Sequence, residues 1–245
     1  MRKLDPFLAA LTLSLLPAPA VGQTAAPAGE AEALAQFRTA VERMRAEMMR
    51  PGERVEGWDQ GGADPDAELR ALGADRYYQL SRGVDGTGVT ILTDRPIRDF
   101  APAGWRAVDS YGEANAPLER PQVDFHPLSE RYVIASRSST WRQNDAGCFR
   151  DLSHALLYEV PGAPVSPDDA VMPMFFRMVI LALDGQTVCL RMDGTRAEGY
   201  RSRFFLPDGR TLPALTDPND LLTIVPAAPV ETLVRAAPPR RTTTG

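Results

Sequence analysis

Residues 174–215 read MFFRMVILALDGQTVCLRMDGTRAEGYRSRFFLPDGRTLPAL, and this stretch decides the fold class. Asp184-Gly185, Asp193-Gly194 and Pro207-Asp208-Gly209 are three tight-turn signatures set in apolar, branched and aromatic sequence. Such turns need positive φ, which Gly adopts freely and Asp tolerates. The spacing predicts an antiparallel β-meander over about 174–215, with strands at 174–183, 186–192, 196–206 and 210–215 and a candidate fifth at 221–225. A two-residue loop at Asp184-Gly185 would put Cys189 on one face with Met178, Ile180 and Ala182, and Val188, Leu190 and Met192 on the other. Both faces are then apolar and both need cover, as in a sandwich or a helix-covered sheet.

Upstream, Tyr77–Leu80, Val89–Leu92, Trp105–Val108 and Tyr132–Ala135 are short runs rich in aromatic and branched residues, separated by Gly, Pro and Asp. Cys148–Val160 reads as a longer strand with Leu152, His154, Leu156 and Tyr158 on one face. Asp64 as N-cap, Pro65 at the first position and Gly73 as terminator mark a short helix. The segment before it, 53–64, is polar and Gly-rich and leaves Trp58 exposed.

Between residues 30 and 50 the period changes. Leu34, Phe37, Val41, Met44 and Met48 recur at helical steps, so all five fall on one stripe of an amphipathic helix that Pro51-Gly52 ends. That stripe is a candidate interface, either with the sheet of its own chain or with a second subunit. The fold expected is therefore a β-rich α+β single domain, 53–226, preceded by the helix at 30–50.

The termini read differently. Arg2 and Lys3, the uncharged apolar run Phe7–Leu16, and the small residues Ala18, Ala20 and Gly22 follow the order of a cleavable signal peptide over 1–22. The run is short for a membrane span and Pro17 and Pro19 interrupt it. No later stretch is long enough to cross, so the expected location is periplasmic or secreted. Residues 23–29 read as a flexible lead, and 227–245, dominated by Pro, Arg and Thr, as a disordered tail.

Composition excludes several chemistries. The chain carries 27 basic and 32 acidic residues, and loss of the leader would leave 25 and 31. A mildly acidic protein without a basic cluster is not a nucleic-acid binder. Lys3 is the only lysine and lies in the leader, which removes Schiff-base and Ser/Lys chemistry and the phosphate-loop lysine from the mature chain. Two cysteines, Cys148 and Cys189, are most simply a disulfide in an oxidising compartment.

Two histidines, His126 and His154, rule out a three-histidine metal site within one chain. The oxygen-rich turns Asp193/Thr195/Glu198 and Asp217/Asn219/Asp220 lack the ligand spacing of a calcium loop, and no metal or other cofactor is expected. Asp85-Gly86-Thr87-Gly88 leads into a strand and so is no dinucleotide fingerprint. Asp124 and His126, two apart, share a face if extended, and Asp151 lies near His154. Those four are the catalytic candidates. Ser153 beside His154 points to the other side of a strand and makes no dyad.

The expected role is that of an exported bacterial envelope protein, a non-enzymatic binding module for a small ligand or an envelope partner. A periplasmic hydrolase using His154 or His126 with a carboxylate is the first alternative. A structural subunit joined through the 34–48 stripe is the second.

Overall fold

The computed structural model describes residues 27–73, 78–82, 86–113, 117–216, 221–226 and 230. The leader, residues 23–26 and all of the tail except Val230 lie outside the described residues. The chain forms a β-rich α+β fold built on a single antiparallel sheet of nine strands. In chain order the elements are α1 (Pro27–Met48), α2 (Pro65–Ala71), β1 (Tyr78–Arg82), β2 (Gly86–Leu92), β3 (Arg106–Gly112), β4 (Pro121–Pro127), β5 (Tyr132–Gln143), β6 (Ala146–Glu159), α3 (Met172–Leu183), β7 (Val188–Thr195), β8 (Gly199–Phe205) and β9 (Leu222–Pro226).

The strands run β3-β6-β5-β4-β2-β1-β9-β8-β7, and β7 pairs in addition with β6. Eight strands therefore succeed one another round a half-barrel, with β3 added at the edge beside β6. The ring is drawn shut only through Gly147↔Leu190, Cys148↔Cys189 and Phe149↔Val188. Among the described residues β8 and β9 meet at Tyr200↔Leu222.

The predicted strand at 174–183 is instead helix α3. Phe176 and Ile180 pack on Ile134, Ala155 and Leu157 of the sheet, while Ala182, Met178 and Leu181 pack on Val41 and Met48 of α1. Because α3 is covered on two sides its sequence is apolar at every position but Arg177, and such a run carries little period that separates helix from strand. Pro173 sits in its first turn and Asp184 is its C-cap. Gly185, at φ 71°, comes next as the left-handed residue that ends a helix rather than as the centre of a hairpin. The face predicted for Cys189, with Met178, Ile180 and Ala182, falls with that hairpin.

The second turn is displaced as well. Asp193 and Gly194 lie inside β7, and Thr195↔Gly199 closes a three-residue loop over 196–198, with Gly199 at φ 84°. Leu206–Gly209 does turn, the Gly209 N–H reaching the Leu206 carbonyl at 2.9 Å. The predicted strand at 210–215 is absent; the ladder contacts there are the isolated bridges Arg54↔Arg210 and Phe205↔Thr211. The candidate strand at 221–225 is β9, though its long partner is β1 rather than β8.

The two faces of the sheet have different covers. Val89, Ile91, Val123, Phe125, Val133, Ala135 and Tyr158 pack on one side beneath Ile97, Phe100 and Val230, the last a residue that composition had assigned to the tail. Trp58 is buried, not exposed; its ring lies 5.2 Å from that of Phe205, over Cys148 and Cys189. Helix α1 begins at Pro27, within the expected flexible lead. It docks in cis: Arg45 donates to the Leu181 and Ala182 carbonyls at 2.6 and 3.1 Å, satisfying the C-terminal end of α3. Arg177 makes a two-pronged pair with Asp109 of β3, at 2.7 and 2.9 Å.

Candidate functional site

The inner face of the half-barrel can be read from register. Thr90 and Leu92 alternate onto one side of β2, and β4 sets Asp124 opposite Thr90 and Gln122 opposite Leu92. Leu92 packs with Leu69, Met192, Tyr200, Leu222 and Ile224, residues of α2 and of strands across the ring, so this side is the interior. Helix α3 covers one part of it through Phe176 and Ile180. Helix α2 plugs another through Leu69. Asp64 fixes α2 by accepting the Ala67 N–H at 2.8 Å.

Polar side chains interrupt this apolar lining. Asp124 is buried and accepts from Thr90 Oγ1 and Gln122 Nε2, both at 2.8 Å. Under α2 the Tyr200 hydroxyl donates to Glu68 Oε1. Burial, reinforced by that carboxylate, pushes the Tyr200 hydroxyl pKa up to about 12. The other carboxylate oxygen, Glu68 Oε2, is buried without a hydrogen-bond partner, as is Ser202 Oγ; Arg196 Nε stands 3.7 Å from Oε2. Ser202 is 3% exposed and lies two residues beyond Tyr200, on the same side of β8.

The histidines occupy different surroundings. His126 is exposed on the same side of β4 as buried Asp124, above Gly88, where a Cβ would come within 3.3 Å of Nδ1. The two share that face, and Thr90 and Gln122 donate to the two oxygens of Asp124. His154 is buried on the opposite face of the sheet, paired in register with Arg137. Its Nδ1 lies 3.1 Å from the Gly112 carbonyl, which can only accept, so Nδ1 carries the proton. Ser153 Oγ donates to the Arg137 carbonyl, and the two neighbours form no dyad. A register shift at Ser138↔Leu152 turns Leu152 away from the His154 face and into the α3 cluster. The side chain of Asp151 lies outside the described residues.

Of the predicted interface stripe, Val41 and Met48 are buried against α3, with Phe37 and Met44 packed beside them. Leu34 is 50% exposed. The two cysteines stand opposite each other in β6 and β7 with sulfurs 2.05 Å apart, at disulfide distance. Among the described residues no three His, Cys, Asp or Glu gather as a metal site, and no helix is long and apolar enough to cross a membrane.

Sequence pattern did not single out Glu68, Tyr200 and Ser202. Part of the signal was there: in Tyr200-Arg201-Ser202-Arg203 the arginines alternate with residues that a sheet would turn inward. The chain matches no protein-family model, no curated protein sequence and no solved structure.

Proposed function

We propose that this protein is a non-enzymatic binding module of the bacterial envelope, exported and trimmed of its leader. On this reading it takes a small hydroxyl- or ammonium-bearing ligand on the interior face beneath α2. The observation that carries the reading is a pair of buried polar atoms without hydrogen bonds, Ser202 Oγ and Glu68 Oε2, the latter facing Arg196 Nε at 3.7 Å. Buried polar groups are nearly always satisfied, and each exception calls for a bound partner or a functional reason. A carboxylate oxygen accepts, so the missing partner must donate.

The polar row Thr90, Gln122 and Asp124 on the same interior face supports a site larger than one hydrogen bond. Export is supported by the order of charge, apolar run and small residues at the N-terminus. An oxidising compartment would seal the cysteine pair across the β6–β7 seam.

Native mass spectrometry of protein recovered from the periplasmic fraction tests both parts. The expected wild-type mass is that of a chain beginning near residue 23, oxidised, with a discrete small-molecule adduct that Ser202→Ala combined with Glu68→Gln loses. Bare polypeptide in both proteins would remove the binding reading; a retained Met1 would remove export.

A further inference from the structure

We infer that the ligand taken beneath α2 is a neutral hydroxyl compound with an aliphatic body, and that Arg196 is the residue that turns cations away. This ligand class rests on the binding reading above and chooses between the hydroxyl and ammonium donors it allows. Glu68 Oε2 can only accept, so its partner donates. Either donor meets that need, and charge separates them. Arg196 Nε stands 3.7 Å from Oε2, inside ion-pair range and beyond hydrogen-bond length. The guanidinium therefore offsets the charge of Glu68 while leaving the lone pairs of Oε2 open to a donor. Arg70 and Arg142, at the start and end of the same region, pair with Asp64. Among the described residues, Arg196 is the cation that meets Glu68.

The loop that carries Arg196 is well tied. Thr195↔Gly199 closes it, and within it Thr195 Oγ1 accepts the Glu198 N–H and donates to Glu198 Oε2, each at 3.3 Å. The other oxygen of Glu68 is taken by the Tyr200 hydroxyl. An ammonium entering beside Oε2 would meet the guanidinium at close range, so its attraction to Glu68 is largely cancelled by repulsion from Arg196. Its lost hydration would then go uncompensated. Ser202, 3% exposed and without a hydrogen bond, offers a neutral hydroxyl that replaces none of that charge. The other interior carboxylate, Asp124, lies on β4, separated from β8 by β2, β1 and β9, and accepts from Thr90 and Gln122. A hydroxyl escapes both penalties: it donates to Oε2 and leaves the Glu68–Arg196 pair intact. Leu69, Met192, Leu222 and Ile224 cluster with Tyr200 around it, which suits an aliphatic body and raises the cost of burying a full charge.

A pair of probes alike in shape tests it, 1-butanol against n-butylammonium at pH 7, followed through the amide NMR shifts of β8 and α2 in the oxidised full-length mature protein. The wild type is expected to bind butanol about tenfold more tightly than butylammonium. Arg196→Gln, at a half-exposed side chain, should reverse that order, and Arg196→Lys, which keeps the charge, should preserve it. A wild type that prefers butylammonium would overturn the inference, as would an Arg196→Gln variant with the wild-type ratio. The native adduct supplies a second arm, since once extracted it should be uncharged at pH 7. A cationic adduct that Ser202→Ala combined with Glu68→Gln loses would leave the binding reading standing and sink the neutral ligand. Bare polypeptide together with no shift from either probe would remove both.

Discussion

The β4–β5–β6 wall and the β7–β8 hairpin are made of similar alternating sequence, and they differ in what lies on either side of them. Each strand of the wall is paired along its length and covered on both faces, by Phe100, Ile97 and Val230 on one side and by Phe176 and Ile180 of α3 on the other. Among the described residues the long pairing of the hairpin is to itself, and the Ser202 hydroxyl, buried without a hydrogen bond, lies on its inner side. Stability in this molecule therefore depends on cover and flanking pairs rather than strand propensity. The wall is the scaffold, and the hairpin carries the buried Ser202 hydroxyl and the Tyr200–Glu68 contact.

The largest effect that would break the contrast is expected in the wall. Phe176 is fully buried between α3 and the sheet, and Phe176→Ala should cost about 3–5 kcal/mol. Urea denaturation measures it. A loss well under 1 kcal/mol would mean that α3 is not the lid of that face. In the hairpin the sign should reverse: Ser202→Ala removes an unpartnered buried hydroxyl and should stabilise the ligand-free protein by up to about 1 kcal/mol. A destabilised Ser202→Ala protein would show that the hydroxyl is satisfied in the folded state and would withdraw it from the site.

The smallest effect sharpens the wall's edge. Burial acts to raise the Asp109 pKa, but the hydrogen bonds from Arg177 and the Ser110 N–H outweigh it and hold the carboxyl below its ordinary value. The stability it contributes is therefore present above the unfolded-state value, about 3.9, and is lost as pH falls through the lower folded value. Arg177 is largely exposed, so the contribution should stay under about 1 kcal/mol. Asp109→Asn should flatten the fall in thermal midpoint below about pH 4; an unchanged acid slope would show that the pair is incidental.

Much of this architecture could be read from the residues. β1, β2, β3, β5 and β6 announced themselves because breakers bound runs of branched and aromatic residues, and the stripe of α1 showed because only one of its sides is covered. Helix α3 was illegible as a helix for the opposite reason, since cover on both sides erased its period. Trp58 looked exposed because its cover, Phe205, is distant in sequence and near in the fold. The candidate site was hidden in the same way: Glu68 and Tyr200 are 132 residues apart and meet through the closure of the ring. Histidines drew attention by rarity, whereas the unpartnered atoms belong to residue types too common to notice.

The position of β9 has a consequence for how the molecule is made. The last described strand fills the gap between β1, which forms near the start of the sheet, and β8. Until residues 222–226 emerge, β1 and β8 present bare backbone edges to whatever is nearby, and pairing between such distant segments is slow. A chain truncated ahead of Leu222 is expected to stick to its own kind through those edges, so β9 serves as the chaperone of β1.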